Sequence, residues 1–220
     1  MKEQYKKIIE LLEFTHGKYH STYIFKDFVV LYAIAIKNIY DYNQEDENMY
    51  LQIINKYEKG EREMFVKLGV ELIKILEMQN EITDVLGEIY EVIGASSKNF
   101  DQFFTQMHIA NMNSDIILGK IDNTNEEHII VRDDACGSGV LLLSVANSML
   151  KQNIDYKQKL IVEGKDIDLI CFCMTYIQLS LYAIPGRVIL GNSLLNESKK
   201  VFYTPQYITN KWQEEKKERG

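Results

Sequence analysis

Proline is the scarcest feature of this 220-residue chain: there are two, Pro185 and Pro205, where ordinary usage of about 5% gives roughly eleven. Such scarcity favours long helices and excludes any motif that needs two adjacent prolines. Cysteine is nearly as rare. Cys136, Cys171 and Cys173 are an odd number with no disulfide framework, which predicts a reducing, cytoplasmic setting. There is no excess of positive charge either, because 25 Lys+Arg stand against 32 Asp+Glu for a formal charge of −7. The molecule as a whole therefore does not attract a polyanion, and nucleic-acid contact requires a local patch or a partner. No apolar run reaches the length of a membrane span, and Met1-Lys-Glu-Gln-Tyr-Lys-Lys7 is followed by mixed charged and apolar residues, so neither membrane spanning nor secretion is expected.

What is present divides into two patterns. From Glu3 to about Ile93 the apolar residues recur at helical spacing: Ile8, Ile9, Leu11 and Leu12; Phe25, Phe28, Val29, Tyr32 and Ile36; Phe65, Leu68, Leu72 and Ile75. The many tyrosines of this region are expected to be packing aromatics rather than a base-stacking surface. Tyr42-Asn-Gln-Glu-Asp-Glu-Asn48 is expected to be a loop or a fraying helix end. After the small-residue connector Gly94-Ala-Ser-Ser-Lys98, helical and strand-like segments alternate. Helices are predicted over His108–Leu118, Val140–Lys151 and Leu169–Tyr182, and strands at His128–Arg132, Leu160–Val162 and Arg187–Leu190. That order predicts an α/β fold with a parallel sheet. The expected organisation is a helical domain over 1–95, an α/β core over 96–210 and a charged tail over 211–220.

The chemistry is concentrated in His128-Ile-Ile-Val-Arg-Asp-Asp-Ala-Cys-Gly-Ser-Gly-Val140, where a strand ends in an acid, a small-residue turn follows, and a helix begins at once. Gly137 and Gly139 let backbone N–H groups approach a ligand without a Cβ in the way. The turn has neither the G-x-G-x-x-G spacing of a dinucleotide site nor the Lys-Ser/Thr of a P-loop. By itself it fits a tight structural connection as well as a ligand site. About 30 residues later a second strand ends in Glu163-Gly-Lys-Asp-Ile-Asp168, and an acid at that place in a βαβ unit suits the two hydroxyls of a ribose. Gly191-Asn-Ser-Leu194 closes the third strand.

These three elements, with Asp101-Gln-Phe-Phe-Thr-Gln-Met-His-Ile-Ala110 and Asp84-Val-Leu-Gly-Glu-Ile-Tyr-Glu91 upstream, resemble the N6-adenine DNA methylases. The similarity is greatest to the modification subunits of type I restriction systems and their small phage or mobile-element relatives. In that family the first element reads roughly G-Q-F-F-T-P and the second D-P-A-C-G-S-G. The resemblance implies a helical N-terminal domain followed by a truncated Rossmann-like methyltransferase core with an S-adenosylmethionine pocket. Phe104 and Thr105 would line the methionine side. Asp133 and the turn Ala135, Cys136, Gly137, Ser138 and Gly139 would face the methionine amine and carboxylate. Asp166 would take the ribose hydroxyls, Ile167 the adenine ring, and Asn192 the adenine amino group. An N-cap or surface acid is the structural alternative for Asp133 and Asp166, and an ordinary turn for Asn192.

The chain departs from the family at Gln106 and Asp134, which replace its usual prolines, and above all in lacking the Asn/Asp-Pro-Pro-Tyr/Phe tetrapeptide that holds a flipped adenine. Thr204-Pro-Gln-Tyr207 is its nearest remnant, so Thr204, Pro205 and Tyr207 are the candidate catalytic residues. Cofactor binding is therefore expected ahead of autonomous catalysis. The alternative is a catalytically silent methylase-like protein that binds a partner subunit or DNA. DNA contact is expected through a partner or second subunit in a homo- or hetero-oligomer, with no membrane association. No metal site is expected: His16 and His20 are separated by helical spacing but have no third ligand. A third reading, a glycine turn for a different nucleotide, also remains open at this level.

Overall fold

The structure is a computed structural model that describes residues 3–14, 18–94, 105–119, 128–210 and 212. These fall into two compact units. The first holds five α-helices: α1 (Lys6–Leu12), α2 (Ser21–Tyr40), α3 (Gln44–Ile54), α4 (Lys59–Glu77) and α5 (Val85–Gly94). Helix α2 is buried along most of its length through Ile24, Phe25, Phe28, Val29, Leu31 and Ile34, because its apolar stripe is wide enough to face several neighbours. Tyr57 and Tyr90 are buried, and Tyr57 donates a 2.8 Å hydrogen bond to Asp27. Packing thus accounts for these tyrosines.

One expectation fails in this unit. The acidic stretch 42–48, expected as a loop or a fraying helix end, is instead the capped start of a helix, since α3 begins at Gln44. The side chain of Asn43 caps it by accepting from the N–H groups of Glu45 and Asp46. Three acids in the first turn interact favourably with the positive end of the helix dipole. Asp46 is also buried against Lys37 at 3.1 Å, so one of those charges is an interior partner rather than a solvated one.

The second unit takes in Glu81–Asp84 and the remaining elements. These are α6 (Met107–Leu118), β1 (Ile129–Asp133), α7 (Val140–Lys151), α8 (Tyr156–Lys159), β2 (Leu160–Asp166), α9 (Leu169–Leu181), β3 (Gly186–Leu190), β4 (Lys200–Tyr203) and α10 (Pro205–Thr209). The sheet order is β1-β2-β3-β4, with the first three strands parallel and β4 antiparallel to β3. This is a mixed α/β fold with a Rossmann-like βαβαβ core. Leu160, Val162, Val188 and Phe202 face the helices and are buried, and Phe202 packs on Phe172 and Tyr176 of α9. On the alternate face Glu163 lies between Arg187, with Nε at 2.5 Å, and Arg132 at 3.8 Å.

The strand β4 is absent from the sequence expectation. Its antiparallel pairing covers the outer edge of β3, and it also moves Thr204. The Thr204–Tyr207 stretch follows β4, not the third strand as expected, and the reversed direction of β4 returns it to the N-terminal end of β3, where Tyr203 pairs with Arg187.

Candidate functional site

Parallel strands place their carboxyl ends together, and here β1 ends at Asp133, β2 at Asp166 and β3 at Leu190. The glycine turn leaves β1 and crosses to β2, where the Cys136 N–H donates to the Lys165 carbonyl at 3.0 Å. Gly137 and Gly139 have φ of 55° and 95°, in the left-handed region that favours glycine. The Asp166 carboxylate organises the near side: Oδ2 accepts from the Gly137 N–H at 2.8 Å and Oδ1 from the Asp168 N–H at 2.9 Å. A carboxylate has about four acceptor positions, so both oxygens can still accept a ligand hydroxyl.

The far side of the turn is held by α9. Thr175 Oγ1 donates to the Gly137 carbonyl at 2.8 Å, and Gln178 Nε2 donates to the Ser138 carbonyl at 2.9 Å. A trans peptide sets its N–H opposite its C=O, so fixing the Gly137 carbonyl on Thr175 turns the Ser138 N–H away from α9. Gly139 is the N-cap of α7 and supplies no side chain to it, so the first-turn amides have no side-chain acceptor. Such an N-terminus favours an anionic group.

Asp133 is half-buried, and its Oδ1 accepts from the Ala135 N–H at 3.1 Å. Burial, above all, raises its carboxyl above the usual range; the Ala135 N–H works against this, and the nearby Asp166 and Asp134 charges add to it. Two neighbouring carboxylates favour a cationic ligand group. Between Asp133 and Val140 the turn has no Lys or Arg to receive a phosphate. Cys136 is buried, and burial pushes its thiol up to about 12, so it is a packing residue and not a nucleophile.

The structure thus brings Asp133, Ala135, Cys136, Gly137, Ser138, Gly139 and Asp166 together. Ile167 is next to them with its side chain 66% exposed, an apolar surface beside the carboxylate. Asn192 belongs to the same strand end, but its Oδ1 accepts from the Leu194 and Leu195 N–H groups at 2.9 and 3.2 Å, so it closes the local turn. Ser193 Oγ, from the same loop, donates to the Asp134 carbonyl at 2.6 Å. Thr105 is exposed just before α6, while Phe104 and His16 lie outside the described residues.

Thr204, Pro205 and Tyr207 are not part of this cluster; they stand at the opposite end of the sheet. Thr204 is fully buried. Its Oγ1 donates to the Ile184 carbonyl at 2.9 Å and accepts from the Gly186 N–H at 3.0 Å. Pro205 begins α10, where its fixed φ suits the first helical position. Tyr207 is 3% exposed, stacked on Tyr203 at 5.5 Å and edge-on to Trp212 at 5.9 Å. Its ring therefore offers no face to a base.

Three residues at the turn were not among the expected site residues. Thr175 and Gln178 are three positions apart on α9 and so share a face, but nothing in their spacing points to a turn almost 40 residues upstream. Asp84 is the third. It is buried, and it accepts from the Ser138 hydroxyl and, at 2.8 Å, from Gln178 Nε2.

Residues 81–219 match the N-6 DNA Methylase family. The chain belongs to it. The matched stretch begins where the second unit begins. Among solved structures, the methylase chain is similar to a class I S-adenosylmethionine-dependent methyltransferase of Listeria monocytogenes, at 17% identity and a TM-score of 0.43 over 81% of this chain and 56% of that one. It is also similar to a type I restriction-modification methyltransferase subunit of Streptococcus thermophilus, at 15% identity and a TM-score of 0.38 over 89% of this chain and 46% of that one. The chain thus spans about half the length of each. No curated protein matches it. No helix among the described residues is long and apolar enough to cross a membrane.

Proposed function

We propose that this member of the methylase family binds S-adenosylmethionine at the carboxyl ends of β1, β2 and β3. The observation that carries the reading is the glycine turn itself, held from behind by α9, with outward amides on one side and the Asp133–Asp166 pair on the other. The ligand is a zwitterion with a sulfonium, and each part has a counterpart in this set. Uncapped amides at the start of α7 suit the carboxylate, and Asp133 suits the ammonium. Asp166 retains acceptor positions for the ribose hydroxyls, and Ile167 supplies apolar surface for the adenine. When bound, the group supplies an electrophilic methyl. The chain's own part is to orient it by these contacts, with Thr105 and Phe104 on the methionine side as family membership suggests.

A nucleoside phosphate fits less well, because the two carboxylates repel it and the turn has no cation to compensate. The placement of Thr204–Tyr207 at the other end of the sheet favours cofactor binding without autonomous methyl transfer. In this reading the adenine-holding groups, and contact with DNA, come from a partner or second subunit of a homo- or hetero-oligomer in a cytoplasmic modification system. Titration calorimetry with S-adenosylmethionine and S-adenosylhomocysteine tests the pocket. The native chain binds both, and Asp166→Ala loses at least about 1.4 kcal/mol, a tenfold drop in affinity. No heat from the native protein, or displacement by ATP but not by S-adenosylhomocysteine, defeats the proposal.

A further inference from the structure

The turn's backside contains a buried carboxylate that the proposed binding does not itself use. Asp84 is 4% exposed and lies 54 residues upstream of Ser138, which is fully buried. The Ser138 hydroxyl donates to one Asp84 oxygen, and Gln178 Nε2 donates at 2.8 Å to the other. The same Gln178 nitrogen donates at 2.9 Å to the Ser138 carbonyl. Asp84 therefore closes a ring of hydrogen bonds in which both the side chain and the main chain of Ser138 are fixed. A buried carboxylate is tolerated at such a place only if its acceptor positions are filled, and the Asp84 carboxylate and the Ser138 carbonyl together orient the Gln178 amide. Without an acceptor at position 84 the Gln178 side chain has one fewer anchor, and Ser138 loses the contact that sets its rotamer. Loss of these holds would let Ser138 shift as a unit, and with it both amides that flank it: its own N–H, one of the outward groups of the turn, and the Gly139 N–H, which donates to the Cys136 carbonyl at 2.8 Å.

We infer that Asp84 is a positioning residue that acts through Ser138 and Gln178 to aim the turn's amides, and so sets affinity for the amino-acid end of the ligand but not for its nucleoside end. The inference rests on the S-adenosylmethionine reading of the turn. It predicts a split that a loss of general stability does not produce. In Asp84→Asn the single remaining carbonyl oxygen cannot accept from both donors, and the new amide group opposes that of Gln178. Affinity for S-adenosylhomocysteine should fall about tenfold, while affinity for adenosine, which lacks the amino-acid end, should stay within twofold of native.

The experiment is calorimetry of the full chain with both ligands, native against Asp84→Asn, accompanied by amide NMR of Gly137, Ser138 and Gly139. Ser138→Ala removes the same link from the other end and serves if Asp84→Asn does not fold. Equal losses for both ligands, or no loss for either, overturn the positioning role while leaving the pocket intact. If the native chain binds neither ligand, the cofactor reading fails separately. The amide shifts then decide alone: a displaced Ser138 N–H resonance supports the positioning role, and an unmoved one overturns it.

Discussion

The two ends of the one parallel sheet have similar ingredients and opposite character. At the carboxyl ends of β1–β3, a glycine turn, two carboxylates and an exposed isoleucine meet, with amides left without side-chain caps. At the amino ends, Thr204, Pro205 and Tyr207 are equally suggestive as residue types, yet they are taken up by the fold. Thr204 Oγ1 bonds to Ile184 and Gly186, and Tyr207 is shut between aromatic rings. The difference lies in what is left over for a ligand once the fold has satisfied itself. A hydroxyl that has both donated and accepted in the interior is part of the scaffold, whereas an uncapped helix start between two acids is available for recognition.

That comparison can be broken most strongly at Thr204. Thr204→Val leaves the Ile184 carbonyl and the Gly186 N–H without their partner, and should cost roughly 2–4 kcal/mol of stability. It should not alter S-adenosylhomocysteine affinity below the melting transition. Chemical denaturation and calorimetry on one preparation measure both quantities, and a selective loss of binding would place function at the wrong end of the sheet. Ile167→Ser should do the reverse. Because the side chain is 66% exposed, stability should change by less than about 0.5 kcal/mol. Affinity should fall by about 1 kcal/mol, roughly fivefold, through loss of apolar contact.

The smallest effect is expected from Asp133→Asn, and its sign depends on pH. The native carboxyl is raised in the folded state, chiefly by burial. The folded protein therefore holds this proton more tightly than the unfolded chain does. With respect to this group, stability is fully present below the ordinary carboxylate range and is lost as pH rises through the raised value. The asparagine variant should melt at a higher temperature than native protein at neutral pH, with the difference vanishing below the ordinary carboxylate range. It should also bind S-adenosylmethionine more weakly. Melting curves across that range check the sign, and a variant less stable at neutral pH would show that Asp133 supports the fold instead of serving a ligand.

Much of the α/β core was legible as pattern. Helix α7 has the predicted bounds Val140–Lys151, and β1, β2 and β3 stand where their β-rich runs predicted. These segments are flanked by turn residues, and local preference agrees with burial in each. The elements that were missed are those in which local composition misleads or says little. Helix α3 looks like a loop because of its acids, although Asn43 and those same acids form an N-terminal signature. Strand β4 is four residues long, and its direction is set by pairing with β3 rather than by its own sequence.

The sequence by itself determined where the chemistry is concentrated. Glycine tolerates the left-handed φ of positions 137 and 139 at little cost, and acids at successive strand ends converge in a parallel βαβ unit. Tertiary structure alone decided which candidates belong together. Antiparallel β4 carried Thr204–Tyr207 to the far end of the sheet, and folding brought Asp84 and Gln178, 94 residues apart, to 2.8 Å behind the turn. Hydrogen-bond satisfaction is a property of neighbours in space. Spacing along the chain could therefore nominate Asp166 but could neither exclude Thr204 nor join Asp84 to the turn.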